Sequence, residues 1–255
     1  MERMPVLFVG HGSPMNALED NEFSRVWIAM GKSLPTPRAI LCVSAHWETR
    51  GTQTTAMEKP RTIYDFYGFP PELYAKTYPA PGSPDLVKRI LDLAGKERMA
   101  PDLTWGLDHG TWSVLARMFP KAEIPVVQLS LDVDKNAQGH YDLGQLLKPL
   151  RDEGILILGS GNIVHNLRMV VFEDIAYDWA VEFDGMVKQW ILDGKHESII
   201  QYHKLGREAA LSINSAEHYK PLLYVLGAQD KGEPVSFFAE KVWGGSVSMR
   251  SVRIG

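Results

Sequence analysis

The chain has 255 residues, with 27 Lys and Arg against 31 Asp and Glu, a formal net charge of −4, eight histidines and one cysteine. Its length suits a single domain over residues 1–255, and 45% hydrophobic with 23% charged residues excludes disordered and fibrous classes. The acidic balance argues against nucleic acid as a partner, and the lone cysteine excludes disulfide frameworks, zinc ribbons and iron–sulfur clusters.

The segment Met1-Glu2-Arg3-Met4-Pro5 leads into Val6–Val9, an apolar run too short for a signal-peptide core, and no stretch approaches a membrane span. A cytoplasmic location with no membrane partner is the resulting expectation. Val6–Val9 reads as a buried strand, followed by a helix at Glu22–Lys32 and a second strand at Ala39–Val43. Cys42, inside that strand, reads as a small buried hydrophobe. Prolines and glycines at Phe69-Pro70-Pro71 and Pro79-Ala80-Pro81-Gly82 predict a rigid loop. Ser83-Pro84-Asp85 has the pattern of a helix start, and Gly95 that of its stop. A helix at Thr111–Arg117, a strand at Ile124–Leu131, a helix at Ala137–Arg151 and a strand at Ile155–Leu158 continue the alternation. Helices are then predicted at Ile175–Leu192, Glu197–Leu205 and Ala216–Leu226. The tail, Val235–Val242 and Ser246–Arg253, alternates like two antiparallel strands joined by Gly244-Gly245. The fold class is α/β, a single domain with a mostly parallel, mixed central sheet flanked by helices. Trp105, Trp179, Trp190 and Trp243 read as core.

Ligand sites of open α/β sheets lie beyond the carboxyl ends of the strands. His11 follows the first strand, His46 the second, and His165 the strand at Ile155–Leu158. His109 stands at a helix start and His218 within or opening the late helix. Imidazoles gathered from distant positions suit a metal such as zinc, copper, iron or nickel. There is no H-E-x-x-H pair to sharpen that spacing, and each histidine taken alone also fits a capping or core role. His140, His196 and His203 read as surface residues. Gly10-x-Gly12 and Gly159-x-Gly161 lack the third glycine of a dinucleotide fingerprint, and Leu158 stands where a nucleophile elbow around Ser160 needs glycine.

Six segments taken together resemble a known family. They are Gly10-His11-Gly12-Ser13-Pro14-Met15, Ser44-Ala45-His46-Trp47-Glu48, Tyr64-Asp65-Phe66-Tyr67-Gly68-Phe69-Pro70, Leu107-Asp108-His109-Gly110-Thr111-Trp112, Gly159 to Asn166, and Glu217-His218-Tyr219-Lys220-Pro221-Leu222. In this order they resemble the 4,5-DOPA dioxygenase extradiol family of the class III, LigB-like ring-cleavage dioxygenases. The resemblance implies a non-haem metal enzyme that cleaves a catechol such as L-DOPA beside its diol. Both atoms of dioxygen enter the open-chain semialdehyde product.

Carried over residue by residue, the resemblance implies His11, His46 and His218 as metal ligands, and His109 and His165 as acid/base residues. It also implies His165 as a fourth ligand when no substrate is bound. His165 is the first choice of base and His109 the second. Glu217 is set aside as a ligand, because neighbours on a helix point about 100° apart. The implied cofactor is a divalent metal, Fe(II) for the oxygen chemistry and Zn(II) in the isolated protein, since zinc outranks Fe(II) in affinity for imidazole. The implied partners are a small catechol and dioxygen, and a homo-oligomer is left open. Trp47, Tyr64, Phe66 and Tyr67 are candidates for an aromatic wall, Asp108 for orienting His109, and Lys220 and Arg168 stand near motif histidines. The rival readings are a zinc-dependent hydrolase built on the same histidines and a metal-storage module.

Overall fold

The computed structural model describes residues 3–255; Met1 and Glu2, where the leader reading begins, lie outside the described residues. The strands are β1 (Val6–Gly10), β2 (Ala39–Thr49), β3 (Thr52–Thr55), β4 (Met99–Asp102), β5 (Val126–Asp132), β6 (Ile155–Gly161), β7 (Val235–Phe238), β8 (Val242–Trp243), β9 (Val247–Ser248) and β10 (Ser251–Ile254). The helices are α1 (Glu22–Ser33), α2 (Pro71–Tyr74), α3 (Pro84–Ala94), α4 (His109–Met118), α5 (Ala137–Leu147), α6 (Asp178–Leu192), α7 (His196–Ile200), α8 (Arg207–Ser212) and α9 (Lys220–Gly227).

One sheet runs in the order β4-β3-β5-β2-β6-β1-β10-β7, and β8 pairs with β9 apart from it. Its centre, β5-β2-β6-β1, is parallel; β3 meets β5, and β10 meets β1 and β7, antiparallel. The mixed sheet expected from the apolar runs is present. Parallel strands need cover on both faces, and the side-chain alternation supplies it. Val6, Phe8, Leu41 and Val43 face a core closed by α3, α5, α6 and α9. Leu7, Val9, Ile40 and Cys42 face the other, where Trp27 of α1 and Trp112 of α4 are fully buried. Among the described residues no helix is long and apolar enough to cross a membrane.

Several boundaries differ from the sequence reading. β3 (Thr-Gln-Thr-Thr) and β4 (Met-Ala-Pro-Asp) carry no apolar run and were not predicted. The helix predicted to Arg151 ends at Leu147 and tightens into a 3-10 turn at Lys148–Glu153, because Pro149 has no N–H for the helical ladder. The helix predicted from Ile175 starts at Asp178, and the one at Glu197–Leu205 breaks into α7 and a 3-10 turn, Tyr202–Lys204. The late helix begins only at Lys220, leaving His218 in the preceding turn. In the tail, Gly244-Gly245 turns β8 into β9, while β7 and β10 extend the main sheet. Trp105, Trp179, Trp190 and Trp243 are half-buried rather than core, and Trp105 stacks on the buried Trp47 at 5.6 Å between ring centroids.

The surface reading holds for His203 and fails for His140 and His196. His196 is half-buried with Nδ1 3.0 Å from the Tyr141 hydroxyl. His140 is fully buried on α5, with Nδ1 3.0 Å from the hydroxyl of Tyr224 on α9. Burial first, then the charges of Lys220 and Lys135, push this imidazole down to about 4. The unfolded chain, with an ordinary histidine near 6.5, therefore takes up the proton first as the pH falls. Stability contributed above pH ~6.5 is lost progressively towards pH ~4, on the order of a few kcal/mol. His140→Gln keeps a partner for Tyr224 but does not titrate, so it should flatten this part of the profile. Urea denaturation at about pH 7.5 and about pH 5 checks it, and equal acid losses in both proteins would contradict the assignment.

Candidate metal centre

Five histidines converge at the carboxyl end of the parallel strands. His11 leaves β1 with its N–H donating to the Gly161 carbonyl at 3.1 Å, while its own carbonyl accepts from Asn16 Nδ2 at 3.1 Å. His46 sits in β2 where the register with β5 slips between Val43 and Glu48, and such an irregularity re-aims side chains. The His218 carbonyl accepts from the Asn162 N–H at 2.8 Å, which ties the turn before α9 to the end of β6. His165 donates its N–H to the Ser212 carbonyl at 3.0 Å. His109 opens α4 directly after its capping residue, Asp108.

Two glycines permit this crowding. A Cβ on Gly110 would lie 2.6 Å from Ser44 Oγ and 3.0 Å from His46 Cδ2, and one on Gly161 would lie 2.1 Å from the His218 carbonyl oxygen.

One ring nitrogen from each of His11, His46 and His218 falls in a group spanning no more than 4.8 Å. Behind the rings of His11 and His218 stands an oxygen acceptor, and a carboxylate oxygen lies near the ring of His46. The Ser160 hydroxyl donates its only proton to the Gly110 carbonyl at 2.5 Å, so it accepts from His11 Nδ1 at 3.0 Å. Glu217 Oε1 accepts from His218 Nδ1 at 3.1 Å, and Asp65 Oδ2 lies 3.4 Å from His46 Nδ1. His11 and His218 thus turn unprotonated Nε2 atoms away from their partners. His46 Nε2 lies 3.0 Å from His11 Nε2. Two nitrogens each ~2.1 Å from one ion at a right angle are about 3.0 Å apart, so the spacing fits a divalent cation. Carboxylate, hydroxyl or carbonyl partners on the far nitrogen are also what metal-bound imidazoles use to fix their tautomer.

Electrostatics keep the cluster neutral. Burial, then mutual repulsion among the rings, holds His11 and His218 well below the ordinary histidine value. Burial and then His109 push His46 down to about 3, and burial pushes His165 down to about 4. Neutral imidazoles are the ligand form, so protons compete little for the site near neutral pH.

The two remaining candidates flank the trio. The His109 ring lies 3.9 Å from that of His46 between centroids, and His165 stacks on His218 at 3.4 Å and 10°. His165 does not belong to the tight His11–His46–His218 group; its nearest acidic companion is Glu217. Asp108, expected to orient His109, instead accepts from Ser44 Oγ at 2.7 Å, from the Thr111 N–H at 3.2 Å and from Gln128 Nε2. Burial and then the neighbouring Asp65 push it up to about 6. The ring partner of His109 is Asp65, whose Oδ2 lies 2.9 Å from Nδ1. Burial alone would raise Asp65, but the hydrogen bonds it accepts from the ring and backbone of His109 outweigh it and the carboxyl lies below its usual range.

Of the aromatic wall, Phe66 packs edge-on to His109 at 5.5 Å. Tyr64 packs on Trp112 and donates its hydroxyl to the Lys76 carbonyl at 2.9 Å, Tyr67 is 92% exposed, and Trp47 is buried against Trp105. Lys220 pairs with Glu48 at 3.1 Å, and Arg168 is exposed. The sequence reading missed Asp65 and Ser160 as histidine partners and discounted Glu217. A metal-ligating imidazole calls for an acceptor behind it, but nothing in the sequence said which distant loop supplies it.

The profile described as the catalytic LigB subunit of aromatic ring-opening dioxygenase matches residues 7–244. The chain is 50% identical to the 4,5-DOPA dioxygenase extradiol of Escherichia coli (strain K12) over 99% of this chain and 95% of that protein. It is 37% identical to the protein of the same name from Beta vulgaris, over 96% of this chain and 94% of that one. It also superposes on the crystal structure of an uncharacterized Escherichia coli K12 protein with a TM-score of 0.87 and 46% identity, covering 99% of this chain and all of the other. The chain belongs to the LigB family of aromatic ring-opening dioxygenases.

Proposed function

We propose that residues 1–255 act as one catalytic domain, a metal-dependent extradiol dioxygenase that opens the ring of a catechol such as L-DOPA. Both oxygen atoms of O2 enter a seco, semialdehyde product. The observation that carries this reading is the convergence of His11, His46 and His218, with an oxygen acceptor behind the rings of His11 and His218 and the Asp65 carboxylate beside that of His46. These three are assigned as the metal ligands. When bound, the ion supplies Lewis acidity to the catechol oxygens and, as Fe(II), the redox chemistry that zinc lacks. An all-imidazole site favours Zn(II) in the isolated protein.

His109 takes the phenolic proton at Nε2, because Asp65 engages its Nδ1 and stabilises the charge the ring acquires. This reverses the preference that the sequence suggested. His165 serves as the second acid/base residue, stacked on His218, and as a fourth ligand in the absence of substrate. Phe66 supplies an apolar edge beside His109. The reaction is assigned to the cytoplasm.

Anaerobic reconstitution with Fe(II), followed by L-DOPA and oxygen, should give oxygen uptake and a yellow ring-opened product. No uptake with any catechol would remove the dioxygenase reading. Turnover of an ester or amide with Zn(II) and without oxygen would favour the hydrolase instead.

A further inference from the structure

The loop from Tyr64 to Pro70 brings one carboxylate against two of the five histidines. The Asp65 side chain is 15% exposed and spans two neighbours. Its Oδ1 accepts the backbone N–H of His109 at 2.9 Å, and its Oδ2 lies 2.9 Å from His109 Nδ1 and 3.4 Å from His46 Nδ1. A carboxylate offers only acceptors, so the Nδ1 atom it engages carries the ring proton. His109 Nε2 has no hydrogen-bond partner among the described residues and is left with its lone pair. Asp108, the other carboxylate nearby, is occupied by Ser44, Thr111 and Gln128.

We propose that Asp65 is the positioning residue of this site: through its two hydrogen bonds to His109 it selects the Nδ1–H tautomer of that ring. The catalytic half rests on the dioxygenase reading; the tautomer does not. In the proton step, the catechol O–H bond breaks and an N–H bond forms at His109 Nε2. The electron pair stays on the catechol oxygen, and the positive charge gained by the ring faces Asp65. The same proton is available for return later in the cycle.

The isosteric variant Asp65→Asn makes a sharp prediction. The backbone N–H of His109 can only donate, so the amide oxygen must meet it. The amide NH2 then faces Nδ1, turns it into an acceptor and moves the ring proton to Nε2. A neutral His109 of that form cannot accept a proton from substrate.

Histidine-selective 15N NMR of the metal-free protein, assigned with His109→Gln, reads the tautomer directly. Wild type should show Nδ1–H and Asp65→Asn Nε2–H. The Fe(II)-loaded variant should lose about 10²-fold or more in kcat, with KM for L-DOPA within about threefold of wild type. Asp65→Glu keeps two equivalent oxygens, and should restore Nδ1–H with part of the lost kcat. An Nε2–H tautomer in wild type, or an unchanged tautomer in folded Asp65→Asn, overturns the proposal even if oxygen uptake is normal. The expected tautomers with no oxygen uptake by wild type would instead overturn the dioxygenase reading.

Discussion

Replacing His46 with alanine should leave a folded protein that neither retains a divalent ion nor consumes oxygen with a catechol. Losing an outer partner of a metal ligand typically costs ~10–100-fold in affinity or activity, so losing the ligand itself should cost more. The reason lies in the remaining geometry. His11 Nε2 and His46 Nε2 are 3.0 Å apart, and His218 completes the only group of three imidazoles among the described residues. Two imidazoles hold an ion far less well than three. An ion present at a thousandfold excess over its Kd stabilises the native state by about 4 kcal/mol, on the order of 10 °C for a chain of this size. A chelator should therefore lower the melting temperature of wild type and leave that of His46→Ala unchanged. His11→Ala and His218→Ala should behave alike, while His203→Ala, at an exposed position, should match wild type. His165→Ala should lose turnover and keep most of its metal. Metal content equal to that of His46→Ala would make His165 as necessary for holding the ion as the three proposed ligands.

The central parallel strands and the placement of His11, His46 and His165 were legible because each rests on a local signal. His109 and His218 joined them only through the six-segment resemblance, and β3 and β4 carry no apolar run. An apolar run of Val, Ile and Leu marks a strand buried on both faces, and a histidine just past such a run stands at the ligand-binding edge. The partners behind the rings carry no such signal. Ser160 meets His11 across 149 residues and Asp65 meets His109 across 44, through packing of separate elements. Glu217 was discounted on helical geometry, yet Glu217 and His218 stand in a turn, where the carboxylate reaches the Nδ1 of its own neighbour. His140 was misread for a related reason. Its polar surroundings in sequence hide that α5 turns this position, together with Gly144, onto α9. Local pattern identifies the donors; tertiary packing chooses what orients them.

Gly161→Ala should damage the site from outside it, and more severely than its size suggests. The added Cβ would lie 2.1 Å from the His218 carbonyl oxygen and 3.0 Å from its carbonyl carbon. Both are backbone atoms, and that oxygen already accepts the Asn162 N–H at 2.8 Å. Neither side can yield cheaply: Gly161 pairs with Gly10 in the centre of the sheet, and α9 begins two residues after His218. Overpacking of this kind costs about 1–3 kcal/mol, and the part relieved by movement displaces the turn that carries the proposed ligand His218. The variant should therefore bind metal more weakly while His11 and His46 remain intact. Gly185, on the exposed face of α6, supplies the contrast, since a Cβ there meets nothing within 4 Å. Gly185→Ala should stabilise the protein by about 0.5–1 kcal/mol and leave metal affinity alone. Chemical denaturation and metal titration of the two variants separate these effects. Unchanged metal affinity in Gly161→Ala would mean that the approach of β6 to the His218 turn does not set the site's geometry.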